Sequence, residues 1–299
     1  MKGLRVIRET KRDQSKKRCL RYQSFVFAAL LLGGSIFTGA AAADSKETMI
    51  IAGTGASIGA MQLMAKDFQK KHPEVKVAVL PSIGSTGGIK AVREGRIDIG
   101  LLARRLKPEE QSGAIIEEIY GRTAFIFGVQ DSNPTENLAL AEIAEIYAGK
   151  RQTWSDGTPI RLILRPLSDA YSVYLSGINS VLKSVSEKAH AIPGVFVGNT
   201  DQEAALQIEK TPGSFGTTSG SLIAAEGLRI KALSVDGAAP TCANIAADKY
   251  PFVMTLSLVY KKDKYRGVIR DFVEFVFSRD GQKLLSKNGH VTLPRITGK

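Results

Sequence analysis

The sequence has 299 residues, of which 43% are hydrophobic and 23% charged, and this composition excludes a disordered, collagen-like or disulfide-stapled chain. The formal net charge of +12 would suit a nucleic-acid-binding protein. Residues 1–43, however, hold nine Lys and Arg against two acidic residues, so the remaining residues carry a net charge of only +5. We therefore expect no nucleic-acid partner.

The N-terminus has the order of a secretory signal. A cationic stretch, Lys2 to Arg21, precedes an apolar run, Phe25 to Phe37, and four alanines end at Ala43. The apolar run is shorter than the about 20 residues that a membrane span needs, although an uncleaved anchor is the alternative. We predict a signal peptide over 1–43 that is cleaved near Ala43, and a periplasmic product.

The next segment alternates short apolar runs with helical patterns, which is typical of a parallel sheet covered by helices and predicts an α/β protein. In open sheets of this type, ligands bind at the carboxyl ends of the strands. The predicted strands are Met49–Ala52, Val75–Leu80 and Ile97–Leu102, and the predicted helices are Ile58–Lys71 and Ile89–Glu94.

Two further apolar runs, Arg122–Val129 and Pro251–Tyr260, bracket a middle section with its own helical patterns at Ala139–Tyr147 and Ser172–Val185. A last helix, Val268–Leu285, is expected to pack back on the first segment. We interpret the two runs as crossovers between two lobes, the first comprising 44–127 and 253–299 and the second 128–252.

Glycine-rich turns follow the first two predicted strands. The first, Gly53 to Gly59, has the spacing GxGxxxG instead of GxGxxG, and no acidic residue ends the second strand, so a dinucleotide site is not indicated. Free N–H groups at a helix start, together with the Ser57 hydroxyl, predict an anion site, whereas the simpler alternative makes Ser57 only a helix cap. The second turn offers Ser85, Thr86 and Gly87 to the same ligand.

A series of segments carries a family resemblance over nearly all of 48–295. Besides the two turns, these segments are Asn133–Leu138, Ala148–Lys150 with Trp154, Thr211–Gly216, Lys231–Gly237 and Pro240–Ile245 with Lys249–Pro251. In these segments the sequence resembles the phosphate-binding proteins of phosphate ABC transporters, a branch of the type II periplasmic binding-protein superfamily. The resemblance implies a two-lobed α/β fold, with mixed sheets flanked by helices and a cleft between the lobes.

Residue by residue, the resemblance implies oxyanion contacts at five positions, and this sequence departs from the family pattern at two others. Ala103 stands where the family has a carboxylate that accepts the proton of hydrogen phosphate. Asp169 stands in the family's GSGT turn, where it would repel an anion if it faced the site or would cap the helix that begins near Tyr171. The implied contacts are Ser57, Ser85, the N–H groups of Thr86 and Gly87, and Arg165.

Arg104 follows Ala103, and its side chain has two alternative locations. Inside the cleft it would be a bidentate anion donor, and on the surface it would have no binding role. The three histidines, His72, His190 and His290, show no metal-ligand spacing, so we expect neither a metal site nor a cofactor.

The resemblance implies the solute-binding protein of an ABC-type phosphate or oxyanion uptake system, and we expect it to be monomeric and not an enzyme. Its partners would be the oxyanion and a permease in the inner membrane. The alternative is a sensor or accessory binding protein on the same scaffold without transport, with a different ligand or a protein partner. An exported enzyme on this scaffold is a third interpretation.

Overall fold

The computed structural model describes residues 47–295. The predicted signal peptide over 1–43 lies outside the described residues. Between residues 47 and 295, none of the helices combines the length and the apolar character that a membrane span requires.

The described residues form an α/β fold. The strands are β1 (Glu47–Gly53), β2 (Val75–Val79), β3 (Ile99–Leu102), β4 (Ile115–Gln130), β5 (Asn137–Leu138), β6 (Arg161–Leu164), β7 (Phe196–Val197), β8 (Ser214–Ser219), β9 (Ile230–Ala232), β10 (Ser234–Val235), β11 (Val253–Lys261) and β12 (Val291–Thr292). The helices are α1 (Gly55–Lys71), α2 (Gly84–Arg93), α3 (Leu140–Tyr147), α4 (Ala170–Ile178), α5 (Ser180–Ala189), α6 (Asp201–Lys210), α7 (Gly220–Glu226), α8 (Cys242–Ala246), α9 (Gly267–Phe277) and α10 (Arg279–Lys287).

One mixed sheet of ten strands runs through the described chain in the order β2-β1-β3-β11-β4-β8-β6-β7, with β12 and β9 also pairing with β4. β1 is parallel to β2 and β3, and β8 is parallel to β6, which is parallel to β7. We call β1, β2 and β3 the first sheet half and β6, β7 and β8 the second sheet half. β4 connects them, because its residues 115–124 pair antiparallel with β11 and its residues 125–129 pair antiparallel with β8.

In both halves the carboxyl ends of the parallel strands point toward the place where the halves meet on β4. β3 runs in the same direction as β4, since both are antiparallel to β11, whereas β8 runs antiparallel to β4 and ends opposite Phe125. In the first half, α1 and α2 begin after β1 and β2 at the carboxyl edge of that half. In the second half, Arg165 follows β6, and α6 and α7 begin after β7 and β8. Helix starts and loops at such edges are where α/β proteins bind ligands.

The first sheet half is covered on both faces, as alternating side chains along a strand require. Ile51 of β1 belongs to the core formed with Met61 and Phe68 of α1, whereas the next residue, Ala52, belongs to the core formed with Ile89 and Val92 of α2. The continuous apolar run of β1 therefore reflects burial on two sides.

The C-terminal helices pack against α1, as the sequence predicts. The ring centroids of Phe68 and Phe272 are 5.2 Å apart, and those of Phe68 and Phe275 are 5.7 Å apart. The prediction of one helix over Val268–Leu285 was wrong, because Ser278 has an extended conformation and its hydroxyl caps α10 by accepting from the Gly281 N–H.

The same kind of break divides the helix predicted over Ser172–Val185. Asn179 is extended, ends α4, and accepts from the Leu182 N–H to cap α5. The predicted start of the first helix at Ile58 was also wrong: α1 begins at Gly55, so the glycine-rich segment is its first turn. Likewise, the second glycine-rich segment forms the first turns of α2 and not a loop before Ile89.

Candidate functional site

The start of α1 binds a carboxylate from the second sheet half. Thr54 Oγ1 lies 3.1 Å from Asp201 Oδ2, and the Ala56 N–H donates to the same oxygen over 3.0 Å. The first N–H groups of a helix have no acceptor within the helix, and the positive end of its dipole favours an anion there. Asp201 therefore supplies the acceptor that the Ala56 N–H lacks within α1.

Ser57, predicted to contact an anion, is fully buried in the first turn of α1. Its Oγ is 2.6 Å from the phenol oxygen of Tyr120, and either oxygen can be the donor. Burial raises the pKa of Tyr120, so this phenol stays protonated. When Tyr120 donates, the Ser57 hydroxyl proton is free to face a ligand.

Arg165, the other predicted anchor, binds three acceptors of its own half. Its Nη1 donates to the Gly198 carbonyl oxygen at 2.6 Å, and its Nε and Nη2 donate to the two oxygens of Asp169 at 3.2 and 2.9 Å. Nη2 also donates to Asp201 Oδ1 at 2.8 Å. Burial disfavours the charged guanidinium, but Asp201 and Asp169 outweigh it and raise the pKa of Arg165.

Asp169 fulfils both roles that the sequence leaves open. Its Oδ1 accepts from the Tyr171 N–H at 3.0 Å and caps α4. The same carboxylate faces the site, since it pairs with Arg165. An anion approaching Arg165 therefore meets this carboxylate.

Asp201 contacts both sheet halves with its carboxylate. Its Oδ2 accepts from the start of α1 and its Oδ1 from Arg165, while its side chain is 2% exposed. Burial raises the pKa of Asp201 to about 6, against the opposing effect of Arg165. The cluster thus contains one guanidinium and two carboxylates.

Gly55 makes the approach of Asp201 possible. A Cβ atom at Gly55 would lie 2.5 Å from the Asp201 Cβ and 2.5 Å from Gln202 Oε1, closer than packed atoms come. Two neighbouring hydrogen bonds reinforce the contact: Gln202 Nε2 donates to the Gly55 carbonyl at 3.3 Å, and Ser221 Oγ donates to the Ala56 carbonyl at 2.7 Å.

The second glycine-rich segment lies at the same edge of the first sheet half, because the Ile83 N–H donates to the Gly53 carbonyl oxygen at 3.0 Å. Ser85 is buried, and its Oγ accepts from the Ala103 N–H at 3.1 Å. Gly87 packs against the Ile83 side chain, since a Cβ atom there would lie 3.2 Å from the Ile83 Cβ. No hydrogen bond among the described residues joins this segment to the Arg165 cluster.

Arg104 is half-buried and forms an ion pair with Glu110. Its Nη1 and Nη2 donate to the two oxygens of Glu110 at 2.6 and 2.8 Å, and Nη2 also lies 3.2 Å from Thr86 Oγ1. Its guanidinium is thus beside the second segment, where Thr86 is exposed. Its charge is balanced by Glu110.

The arrangement is chemically that of an oxyanion site. Two oxygens of one anionic group accept a hydroxyl proton, a helix N–H and a guanidinium proton, from elements of both sheet halves. Between residues 47 and 295, no group of three or more His, Cys, Asp and Glu residues is placed to hold a metal ion.

Sequence reasoning missed Thr54 and Asp201. The only local signal at Asp201 is the capping pattern of α6, in which Thr200 Oγ1 accepts from the Glu203 N–H. This pattern predicts a helix start, but it says nothing of which residues the start faces across the sheet.

Comparison with known proteins places the chain in a family. Residues 38–280 match the family described as the PBP superfamily domain. The phosphate-binding protein PstS of Bacillus subtilis is 24% identical over 254 residues, which are 82% of this chain and 80% of that protein. The phosphate-binding protein PstS 2 of Streptococcus pneumoniae (TIGR4) is 33% identical over 94 residues, 31% of this chain and 32% of that protein.

Solved structures show the same fold. A phosphate ABC transporter substrate-binding protein from Clostridium perfringens, solved with bound phosphate, superposes with a TM-score of 0.71 at 23% identity and covers 83% of this chain and 100% of its own. An ABC-type phosphate transport receptor from Vibrio cholerae gives 0.58 at 21% identity, covering 83% of this chain and 100% of its own. The resemblance to phosphate-binding proteins and the predicted α/β fold are confirmed, and the chain belongs to the PBP superfamily domain family.

Proposed function

We propose that this protein is the solute-binding component of an ABC-type uptake system for phosphate or a similar inorganic oxyanion. The observation that carries the proposal is the set of donors around Asp201: Thr54 Oγ1, the Ala56 N–H and Arg165 Nη2 surround one anionic group. The phosphate-binding relatives support the choice of ligand. The oxyanion would take up these donors together with Ser57, and Ser85, Thr86 and Gly87 would line the same cleft.

The proposed mechanism is closure of two lobes without chemistry. Segments 44–127 and 253–299 would form one lobe and 128–252 the other, hinged at β4 and β11, which connect the two sheet halves. The mature monomer would act in the periplasm and pass the anion to a permease in the inner membrane. The likeness to the ABC-type phosphate transport receptor of Vibrio cholerae supports the transport role.

Calorimetric titration of the mature chain, residues 44–299, tests the function. Inorganic phosphate, sulfate, arsenate and molybdate are titrated in turn, and at least one should bind with one-to-one stoichiometry. Because Ala103 offers no carboxylate to accept a phosphate proton, phosphate and sulfate should bind within about 100-fold of one another. Absence of binding by all four anions, to the wild type and to every variant described below, would contradict the proposal.

A second candidate is a sensor or accessory binding protein without transport. It is favoured by one observation: Arg165 is already neutralised by Asp169 and Asp201. For this candidate the anion titrations would fail, and the chain would be retained by another exported protein instead of a permease.

A further inference from the structure

We propose that Asp201 is a built-in anion: its carboxylate occupies the oxyanion's place, holds the two sheet halves together without ligand, and must be displaced before a free oxyanion binds. The identity of the competing ligand rests on the proposed function. The bridging role of Asp201 does not, because it concerns contacts within the chain.

The first argument is that the two oxygens of the Asp201 carboxylate accept hydrogen bonds from different sheet halves. Oδ2 accepts from Thr54 Oγ1 and the Ala56 N–H in the first sheet half, and Oδ1 accepts from Arg165 in the second. A free oxyanion in a two-lobed binding protein would need the same division, with some oxygens facing each lobe. Asp201 reproduces it with a tethered group, which loses far less translational freedom on binding than a free ion.

The second argument is that Asp201 leaves neither room nor charge for another anion. Its side chain and that of Arg165 are each 2% exposed. One guanidinium faces two carboxylates in this cluster, so an added anion would meet a net negative charge at short range. Binding therefore requires Asp201 to leave.

The third argument is that neither Arg165 nor α6 needs Asp201 for its own stability. Asp169 already accepts from two nitrogens of Arg165. The start of α6 is capped without Asp201, since Thr200 Oγ1 accepts from the Glu203 N–H and the Asn199 N–H donates to the Glu203 carboxylate. What Asp201 adds is a charged link to the first sheet half, beside the neutral hydrogen bonds of Gln202 and Ser221.

Three variants of the mature chain test the proposal. Asp201→Ala removes the bridge, and Asp201→Asn keeps its shape but removes its charge. Asp169→Asn is the matched control, because it removes the other carboxylate beside Arg165, whose contacts lie within the second sheet half. Each protein is measured by small-angle scattering without added anion and by calorimetry with inorganic phosphate and with sulfate, and far-UV circular dichroism verifies folding.

The ligand-free wild type and Asp169→Asn should have the same radius of gyration, and Asp201→Ala should have a larger one. Asp201→Ala and Asp201→Asn should bind the better of the two anions at least tenfold more tightly than the wild type. An unchanged radius in Asp201→Ala overturns the bridge, and equal or weaker anion affinity in both variants overturns the competition. If Asp201→Ala fails to fold, the anion affinity of Asp201→Asn, compared with the wild type, tests the competition. The ligand-free radius of gyration of Asp201→Asn, which should then exceed that of the wild type, tests the bridge.

The two proposals fail differently. If Asp201→Ala expands but neither it nor the wild type binds any anion, the proposed function fails and the bridge stands. If the wild type binds phosphate and Asp201→Ala neither expands nor binds more tightly, the function stands and the role of Asp201 is wrong.

Discussion

At the scale of residues, the site is a charge balance around Arg165. A buried guanidinium beside one buried and one partly exposed carboxylate is stable only while each charge keeps its hydrogen-bond partners, because desolvation penalises every unpaired charge. Asp169 and Asp201 thus depend on Arg165 more strongly than Arg165 depends on either of them.

Removing Arg165 should therefore destabilise the fold and not only the site. Arg165→Ala leaves Asp201 and Asp169 without their cation, and we expect the free energy of unfolding at pH 7 to fall by about 3–5 kcal/mol. Urea denaturation measures this loss. The double variant Arg165→Ala/Asp201→Asn should recover part of it, since it removes one of the unpaired charges. If the free energy of unfolding of Arg165→Ala falls by less than about 1 kcal/mol, water solvates these carboxylates when the guanidinium is absent.

The raised pKa of Asp201 predicts a pH dependence of sulfate binding. Sulfate keeps its charge between pH 7.5 and 5, whereas the Asp201 carboxyl, with a pKa of about 6, gains a proton as the pH falls through this range. The competing anion then becomes neutral, so sulfate affinity should rise toward pH 5. Arg165, Asp169 and Tyr171 influence the Asp201 carboxyl, and the His190 ring contacts the Arg165 carbonyl.

Calorimetry in Asp201→Asn is the control for that titration, because any pH dependence of sulfate affinity that remains in this variant belongs to the neighbouring groups. A sulfate affinity that does not change with pH in the wild type would contradict the assignment.

The same raised pKa affects stability with a sign opposite to the usual case of aspartate. An unfolded aspartate has a pKa of about 3.9, so between about pH 4 and pH 6 the folded chain binds more protons than the unfolded chain. The contribution of Asp201 to the free energy of unfolding therefore falls as the pH rises.

At the scale of elements, the site depends on how closely the first turn of α1 approaches the start of α6. Gly55→Ala should favour the helix by about 1 kcal/mol through intrinsic propensity, yet its Cβ atom would collide with Asp201 and Gln202. We expect a folded protein with a larger radius of gyration without ligand, as for Asp201→Ala.

Gly177→Ala provides a control for the same substitution. Gly177 lies in α4, and a Cβ atom there meets no atom within 4 Å. Scattering from this variant should match the wild type. If Gly55→Ala is as compact as Gly177→Ala, the first turn of α1 adjusts without moving the second sheet half, and the close approach does not control closure.

The sequence predicts these elements unevenly, for physical reasons. Apolar periodicity predicts β1 and α1 because both are buried over long stretches, and it predicts β11 and the second part of β4, from Arg122, because these are apolar runs. It does not predict residues 115–121 of β4, where Glu117 and Glu118 interrupt the apolar pattern. It fails at Asn179 and Ser278, where the apolar period continues across a residue that is extended and caps the next helix. A cap that interrupts a helix leaves the hydrophobic pattern intact, so periodicity does not reveal it.

The site itself is predictable only in part. The glycine-rich turn and the family resemblance indicate Ser57 and Arg165 as anion contacts, because both are local patterns, and these contacts stay predictions. Neither indicates Asp201, because its partners Thr54 and Ala56 are more than 140 residues away in the chain. Its role depends on the topology that brings α6 against α1, which no local pattern encodes.

At the scale of the whole molecule, the two sheet halves share one sheet. β4 pairs with β11 and with β8. At the point where β4 passes from one half to the other, the Phe125 N–H donates to the Phe252 carbonyl. The aromatic cluster near this point continues from Phe125 to Phe127 and Phe215 in the second half. The two halves therefore belong to one continuous sheet, and β4 contributes residues to both of them.

This shared sheet predicts one cooperative unfolding transition. Trp154 is the chain's single tryptophan; it is buried in the second half, its ring centroid lies 6.1 Å from that of Phe215, and its Nε1 donates to the Gly213 carbonyl. Its fluorescence reports the second half alone, whereas far-UV circular dichroism reports the helices of both. In urea the two curves should coincide for the wild type and also for Asp201→Ala, because that variant loses the bridge but keeps β4 and β11. Separate midpoints in Asp201→Ala alone would instead assign the cooperativity to the Asp201 bridge.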